Sequence, residues 1–264
     1  MTSRQPKFKK LGQNFLINQD VVADLVSAGE IDGKDNVLEV GPGLGAVTSQ
    51  LVEKAGRVIA VEIDTNLVEQ LRKRFQHLSN LDIVHADILD YTPPSGVFYK
   101  IVASLPYQIT SPFLHRVVFD ELGDISHLAL IIQKEVAQKL NAKPPKASYL
   151  SNLVSLYGQV SYVQTIPPTA FDPAPKVESA LITITRHPDP EPVEGEGSHG
   201  DPKRFSKFLH RGFSSPRKML NKVFDPEVLG AADINPQRRA ETLTLAEWRK
   251  LSRSCHSRES GNPG

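Results

Sequence analysis

Three glycines follow a short apolar run in VLEVGPGLG, residues 37–45. Because glycine has no Cβ atom, the backbone at Gly41, Gly43 and Gly45 can turn sharply and approach a ligand closely. Their spacing, G-x-G-x-G, is tighter than the dinucleotide-binding pattern G-x-G-x-x-G. With Glu39 just before the first glycine, the pattern predicts a nucleotide-like ligand at the end of a buried strand. The alternative is a glycine-rich turn of another Rossmann-like fold.

Two further acids follow the next predicted strands. Glu62 ends the apolar run at 57–62, and Asp87 follows the run at 81–85. A carboxylate at the first position can accept both hydroxyls of a ribose, and one at the second can accept a hydrogen bond from an adenine amino group. A single surface acid after a strand is common. Counting Glu39, however, acids at three successive strand ends fit an adenosine at the carboxyl edge of a parallel sheet.

The sequence Ser104-Leu105-Pro106-Tyr107 follows another predicted strand. An enzyme that methylates an amine must point the lone pair of an NH2 group at the methyl donor. A neutral side-chain acceptor and a backbone carbonyl can do this together, since each accepts one N–H. The proline presets the turn, and the tyrosine ring can stack on a base. We interpret this turn as a methyl-accepting site. A strand-ending turn with a buried tyrosine is the alternative.

Strand and helix patterns alternate along the chain that must position these residues. Strands are predicted at 36–40, 57–62, 81–85, 99–103 and 127–133, and helices at 19–29, 46–55, 65–77, 111–119 and 148–158. This alternation predicts a doubly wound, mostly parallel α/β sheet. Two late strands, at 159–165 and 178–185, are expected to add an antiparallel hairpin.

The pattern stops at residues 188–202, which are rich in acids, proline and glycine, and which we expect to form a flexible acidic linker. Short helices predicted at 203–213, 217–224, 225–230 and 245–252 then indicate a small all-α domain over 203–253. Residues 1–187 would form the catalytic domain, and residues 254–264 a disordered tail.

Basic residues are concentrated although the net charge is only +1. Residues 203–222 contain seven lysines and arginines and no acid, and residues 1–10 contain four. Local basic patches bind phosphates even on proteins that are nearly neutral overall. We therefore predict RNA contacts at Arg217 and Lys218, with two solvated basic faces as the alternative.

Composition excludes several other classes. No stretch approaches the ~20 apolar residues that span a bilayer. The single cysteine, Cys255, excludes an intramolecular disulfide and a cysteine zinc site. The eight histidines lack metal-ligand spacing, and His127 lies in a strand pattern, so we expect it to be structural. A cytoplasmic protein without a metal and without a membrane partner remains by elimination.

Taken together, the motifs resemble the KsgA/RsmA family of 16S rRNA adenine N6,N6-dimethyltransferases. VLEVGPGLG is similar to motif I of class I methyltransferases, and SLPY to motif IV of N6-adenine methyltransferases. The other segments that carry the resemblance are LGQNFLIN at 11–18, VEID at 61–64, HADIL at 85–89, SLPYQITSP at 104–112, FDPAPKVESA at 171–180 and INPQRRAETLTLAEW at 234–248. It covers residues 7–186 and, more loosely, 203–252.

The resemblance implies a Rossmann-like class I methyltransferase fold and S-adenosylmethionine as the cofactor. It also implies a monomer that dimethylates two adjacent adenosines in the 3′-terminal hairpin of 16S rRNA, in a precursor of the 30S subunit. Gly41 would lie near the methionine part of the cofactor, Glu62 near the ribose and Asp87 near the adenine. The full cofactor set is Asn14, Leu16, Gly41, Gly43, Glu62, Ile63, Asp87, Ile88 and Ser104.

On the substrate side, the resemblance assigns catalysis to Ser104, Leu105, Pro106 and Tyr107. Tyr107 and Phe171 would clamp a flipped adenine between aromatic faces, and Lys176 would lie near an RNA phosphate. From the residues alone, Phe171 can equally be a core aromatic beside prolines.

One position departs from the family pattern, which usually has asparagine where this chain has Ser104. The serine oxygen still accepts one N–H but sits further back, so we expect an active enzyme with a slower or incomplete second methylation. Three other functions stay open: a 23S rRNA methyltransferase of the erythromycin-resistance type, a weakly catalytic 30S assembly factor and a small-molecule methyltransferase.

Overall fold

The structure is a computed structural model that describes residues 14–97, 99–119, 121–188 and 202–259. Taken over these residues, the chain divides into two compact units. The first combines Met1–Ala137 with Val160–Arg186, and the second combines Gln138–Gln159 with His187–Gly264.

Nine strands occur in the described residues. They are β1 Phe15–Leu16, β2 Asn36–Val40, β3 Arg57–Glu62, β4 Leu81–His85, β5 Tyr99–Ser104, β6 Ile125–Gln133, β7 Gly158–Ile166, β8 Phe171–Asp172 and β9 Ser179–Arg186. The same residues contain nine α-helices. They are α1 Gln19–Ala28, α2 Ala46–Lys54, α3 Thr65–Arg74, α4 Thr110–Val118, α5 Lys134–Leu140, α6 Tyr149–Val154, α7 Pro202–Phe213, α8 Pro226–Ala231 and α9 Leu245–Glu259.

Seven of the strands form one mixed sheet in the order β4-β3-β2-β5-β6-β9-β7. Strands β2 to β6 pair in parallel, and β9 runs antiparallel to β6. The predicted doubly wound sheet is therefore confirmed, and the two late strands are neighbours at its edge. The inner strands β2 and β3 are nearly continuous apolar runs because helices cover both faces of a parallel sheet.

Strand register brings the carboxyl ends of the central strands to one level. Val40, the last residue of β2, lies opposite Val61 of β3 and Ala103 of β5. The residue that follows each of these three therefore emerges at the same edge of the sheet. This is the edge where the sequence predicted a ligand.

Side-chain caps fix where two of the helices begin. The Asn18 side chain accepts hydrogen bonds from the backbone N–H groups of Asp20 (3.0 Å) and Val21 (3.1 Å) at the start of α1. Asp64 caps α3 in the same way, accepting from Asn66 at 2.8 Å. These caps satisfy backbone donors that have no partner inside a helix. The loops that precede α1 and α3 therefore end at fixed residues, Asn18 and Asp64.

A separate two-stranded sheet, which the sequence analysis did not predict, joins β1 to β8. Phe15 pairs with Asp172 and Leu16 with Phe171. The Ile17 N–H also donates to the Ala170 carbonyl at 2.9 Å. Strands of two residues carry no readable periodicity, so only the folded chain reveals them.

His127 is structural, as predicted. It is buried in β6, where Nε2 lies 2.8 Å from the Ala28 carbonyl and Nδ1 lies 3.1 Å from Thr185 Oγ1. The carbonyl can only accept, so Nε2 carries a proton and donates it to this bond. The histidine thereby fastens α1 to the sheet.

The second unit has its own apolar core around Trp248. Gly212 of α7 lies directly beneath the indole, since a Cβ atom there would overlap the Trp248 ring. Phe208 and Phe224 pack against the same ring system with centroid distances of 6.1 and 6.2 Å. The second unit thus has a largely aliphatic core with a group of aromatic rings packed around Trp248.

The division between the units differs from the predicted one, which placed residues 138–159 in the catalytic domain. Helix α6 is held by the second unit instead: the Tyr149 hydroxyl lies 2.8 Å from Ser206 Oγ, and its ring meets His210 edge-on. The Ala147 N–H also donates to the Glu241 carbonyl at 3.0 Å. These contacts join residues far apart in sequence, so local patterns do not show them.

Two further predictions about the second unit are corrected. In place of a helix at 217–224 there is a short 3-10 turn, Leu220–Lys222, because the Leu220 N–H donates to the Arg238 carbonyl at 2.8 Å instead of within a helix. The predicted disordered tail is helical as far as Glu259, since α9 continues while Cys255 packs on the core. Residues 260–264, and residues 189–201 of the predicted linker, lie outside the described residues.

Candidate active site

One cleft opens in the first unit at the carboxyl edge of the parallel strands. The residues predicted for the cofactor, the methyl acceptor and the aromatic clamp all line it, whereas the residues predicted to contact RNA phosphate do not. The predicted residues that line the cleft are Asn14, Leu16, Gly41, Gly43, Glu62, Ile63, Asp87, Ile88, Ser104, Leu105, Pro106, Tyr107 and Phe171. The structure therefore brings these side chains together, while their individual roles stay predictions.

The three glycines of the turn differ in what they leave room for. Gly41, Gly43 and Gly45 all have positive φ, at +67°, +56° and +81°. A Cβ atom on Gly43 would meet Phe15 at 2.9 Å, and one on Gly45 would meet Phe75 at 2.8 Å. On Gly41 it would meet nothing within 4 Å. The absence of a side chain at Gly43 and Gly45 thus lets neighbouring phenylalanine rings pack against the turn. At Gly41 it leaves open space at the cleft for a ligand.

Glu62 is 3% exposed and holds the loops on both sides of it. Its Oε2 accepts from the Gly43 N–H at 3.2 Å, and its Oε1 accepts from Ile63 (2.9 Å) and Asp64 (3.0 Å). Burial raises the pKa of this carboxyl, and the three backbone bonds oppose the rise. A carboxylate has about four acceptor positions. Acceptor capacity on Oε2 therefore remains for a ligand hydroxyl.

The loop after β4 is fixed by its own acid and by an arginine. Asp87 Oδ1 accepts from the Leu89 N–H at 2.8 Å. Arg116 of α4 donates to the carbonyl of Ile88 and, at 2.7 Å, to that of Tyr91. Arg116 was not predicted from the sequence. No local pattern marks it, since it is not among the buried residues of α4 and its partners lie 28 and 25 residues away.

Glu39 lies on the floor of the cleft and is 2% exposed. Burial raises the pKa of its carboxyl to about 8, and the nearby negative charge of Glu62 adds to the rise. Near neutral pH the group therefore carries a proton. Its Oε2 has no hydrogen-bond partner among the described residues. The cleft thus contains an unused polar atom that a ligand or a water molecule can satisfy.

The acceptor corner is built where β5 ends. Ser104 is half-buried, and its hydroxyl has no hydrogen-bond partner in the described part of the chain. The Leu105 N–H donates to the Ile131 carbonyl at 3.0 Å, which continues the pairing with β6. Pro106, with φ −56°, then starts a 3-10 turn that ends at Ile109. Within this turn, the Tyr107 hydroxyl lies 2.8 Å from Ser179 Oγ.

Phe171 fits both of its interpretations. It lines the cleft, and at 5% exposed it also belongs to the apolar core cluster that contains Leu16. Lys176 is exposed and is not among the lining residues. Arg217 and Lys218 are exposed on the second unit. The three basic residues predicted for RNA are therefore surface residues outside this cleft.

The described residues contain no group of three or more histidine, cysteine, aspartate or glutamate side chains that could hold a metal ion.

Replacing Gly41 with alanine should fill the space left for a ligand and should lower the stability of the fold only modestly. Gly96 has the same backbone type, φ +76°, and a Cβ atom there also meets nothing within 4 Å. Both Gly41→Ala and Gly96→Ala should therefore lose roughly 1–2 kcal/mol of stability from the left-handed backbone. Only the first should weaken binding of S-adenosylmethionine, by about tenfold or more, in isothermal titration calorimetry. Equal affinities in the two variants would contradict the assignment of the cleft.

Glu39→Gln should change how stability depends on pH. Because the pKa of Glu39 is raised from 4.5 to about 8 in the folded state, the unfolded chain loses this proton at lower pH. The free energy of unfolding of the wild type should therefore fall as pH rises through this range. Glutamine cannot ionise, so the free energy of unfolding of the variant, relative to that of the wild type, should rise by several kcal/mol between pH 5 and 9. Urea titrations without ligand measure this, and a difference that stays constant with pH would refute it.

Comparison with known proteins places this site in a family. A family model described as "Ribosomal RNA adenine dimethylase" matches residues 5–256. Ribosomal RNA small subunit methyltransferase A of Dehalococcoides mccartyi strain CBDB1 is 40% identical over 92% of this chain and 86% of its own length. The protein of the same name from Alkaliphilus metalliredigens is 35% identical over 95% and 92%.

Two solved structures share the fold. A dimethyladenosine transferase from Plasmodium falciparum has a TM-score of 0.79 at 22% identity and covers 93% of this chain and 98% of its own. The 23S rRNA methyltransferase ErmE has a TM-score of 0.72 at 24% identity, covering 91% and 99%. The predicted Rossmann-like class I methyltransferase fold is thereby confirmed. The match of the family model across nearly the whole chain, with relatives at 40% and 35% identity, shows that the protein belongs to the ribosomal RNA adenine dimethylase family.

Proposed function

We propose that the protein transfers methyl groups from S-adenosylmethionine to N6 of two adjacent adenosines in the 3′-terminal hairpin of 16S rRNA, within a 30S precursor. One observation carries the proposal: the glycine turn and the Ser104–Tyr107 corner open into the same cleft. The names of the curated relatives support a small-subunit substrate over a 23S one. A role in small-subunit biogenesis goes with this substrate.

The residues of the cleft fit the proposed cofactor. When bound, S-adenosylmethionine supplies an electrophilic methyl group and ends as S-adenosylhomocysteine. Gly41 leaves open space for its methionine part, and the spare capacity of Glu62 Oε2 suits a ribose hydroxyl. Asp87 is assigned to the adenine amino group. The remaining members of the proposed cofactor set are Asn14, Leu16, Gly43, Ile63, Ile88 and Ser104. We propose no metal.

The acceptor corner orients the target amine. The free Ser104 hydroxyl accepts one N–H and a backbone carbonyl of the Leu105-Pro106 turn accepts the other, so the nitrogen lone pair is directed at the methyl group. Tyr107 and Phe171 hold the base between their rings. Catalysis then comes mainly from orientation, and from polarising the amine through its two hydrogen bonds.

RNA binding outside the cleft is proposed for the second unit. The basic residues of α7 and of the turn after it are exposed, and they include Lys203, Arg204, Lys207, Arg211, Arg217 and Lys218. Lys176 of the first unit is proposed to contact a phosphate as well. We further propose a monomeric, cytoplasmic enzyme in which the first unit carries catalysis.

The decisive experiment incubates the protein with undermethylated 30S subunits and labelled S-adenosylmethionine, and maps the modified base by mass spectrometry. Label on adenine N6 near the 3′ end of 16S rRNA supports the proposal. Label on 23S rRNA supports the erythromycin-resistance type of activity. Tight particle binding without transfer favours a weakly catalytic assembly factor. Absence of label from the rRNA, together with transfer to a small-molecule acceptor that deletion of residues 203–252 does not reduce, favours a small-molecule enzyme.

Ser104 should set the number of methyl groups added. Its hydroxyl is shorter than the amide that the family usually has, so the monomethylated amine, with a single N–H left, should be held less firmly. We expect the wild type to accumulate N6-monomethyladenosine and Ser104→Asn to convert more of it to the dimethyl form. Time-resolved mass spectrometry of rRNA modified in vitro measures both species. Identical product ratios would remove Ser104 from this role.

Charge removal on the second unit should weaken RNA binding in a salt-dependent way. For Arg217→Ala/Lys218→Ala, the slope of log K against log salt should fall by roughly 1.5, because two phosphate contacts are lost. The matched control is Lys54→Ala/Lys73→Ala, which removes two exposed lysines from the first unit. Filter binding to 30S particles at several salt concentrations distinguishes the two. An equal change in both double variants would indicate a general charge effect.

A further inference from the structure

The acceptor corner contains one side-chain hydrogen bond that the mechanism above does not use. The Tyr107 hydroxyl lies 2.8 Å from Ser179 Oγ, and either oxygen can donate. Ser179 is 0% exposed and begins β9. Tyr107 lies in the 3-10 turn after β5. The bond thus connects two parts of the chain that are 72 residues apart.

The backbone of Ser179 is firmly anchored. Ser179 lies opposite Gln133 of β6 in the central sheet. Just before it, the Glu178 carbonyl accepts from the Lys134 N–H at 3.0 Å, and the two side chains form an ion pair at 2.7 Å. A hydroxyl on such a backbone has little freedom to follow a moving partner. It is therefore a fixed point for the more exposed tyrosine ring.

The same stretch of chain also carries the second aromatic residue of the clamp. Phe171 is held in β8 by its pairing with Leu16, and the chain then runs over the surface to Ser179. Both ends of this surface stretch are thus fixed by strand pairing. The hydrogen bond between Ser179 and Tyr107 therefore connects the Tyr107 ring to the same stretch of backbone that carries Phe171.

We propose that Ser179 is a positioning residue for the target base: through its bond to Tyr107 it fixes the orientation of that ring relative to Phe171. The inference rests on the proposed function, since the ring must meet a base for its orientation to matter. A tyrosine side chain without this bond samples more χ1 rotamers, and ordering it on binding then costs part of the binding free energy. Ser179 itself touches no substrate.

The test compares Tyr107→Phe, Ser179→Ala and the double variant in methyl transfer to undermethylated 30S subunits. Each single variant removes the same bond, so each should lower kcat/KM for 30S by about 3- to 10-fold. The kcat/KM of the double variant should be no lower than that of the less active single variant. Affinity for S-adenosylmethionine should stay within about twofold of the wild type. Multiplying effects in the double variant, or full activity of Ser179→Ala, would overturn the proposal.

A matched control exists on β7, where the Tyr162 hydroxyl lies 2.8 Å from Thr165 Oγ1 and neither residue lines the cleft. Tyr162→Phe removes the same kind of bond and should leave kcat/KM unchanged. A loss equal to that of Tyr107→Phe would mean that any tyrosine hydroxyl matters through stability alone, and would contradict a positioning role.

A second readout needs no substrate. In protein with isotope-labelled tyrosine, the Tyr107 signal is assigned by its loss in Tyr107→Phe, and the populations of its χ1 rotamers are measured by NMR from three-bond couplings. The hydroxyl oxygen lies on the axis of the ring flip, so the bond to Ser179 restricts χ1; Ser179→Ala should therefore spread Tyr107 over more χ1 rotamers, and unchanged populations would overturn the inference. If the wild type transfers no methyl group to 30S, the proposed function fails, and the rotamer populations still decide whether Ser179 holds Tyr107.

Discussion

The parallel pairing of β2 with β3 and β5 is the constraint on which the site depends. Because Val40 is level with both Val61 and Ala103, the glycine turn, Glu62 and Ser104 all leave the sheet at one edge. Shifting any of these pairings by one residue would turn its side chains to the opposite face. The cleft is therefore a direct result of register, and the helices between the strands serve to keep that register.

Two buried carboxyl groups lie at this edge, and they differ in how far hydrogen bonds offset the free-energy cost of burying them. Glu62 is buried but accepts three backbone N–H groups, so its charge is spread over the loops that it holds. For Glu39, burial outweighs the opposing hydrogen bonds with Thr48, and its carboxyl stays protonated near neutral pH. The cleft thus places two buried acids side by side. One organises backbone, and the other leaves a polar atom unsatisfied, which is a common property of functional sites.

The sequence was sufficient for the sheet and for the composition of the cleft, because both follow from local patterns. Buried parallel strands are apolar runs, and acids or glycines at their ends mark the carboxyl edge. Arg116, Ser179 and the pairing of β1 with β8 were missed, because each depends on partners distant in sequence. The transfer of residues 138–159 to the second unit has the same cause. The helical continuation to Glu259 was missed because its packing on the core, through Cys255, gives no clear period.

The pairing of β1 with β8 also affects the order in which the site can be completed during synthesis. Phe15 packs against Gly43 and is paired with Asp172, so one wall of the cleft needs residues from near both ends of the first unit. Contacts of such long sequence separation form late, since the loop between them must first be closed. A nascent chain that has made the glycine turn and Glu62 therefore still lacks a finished cleft. The wall formed by Phe15 and Phe171 is complete only when the segment around Phe171 has left the ribosome.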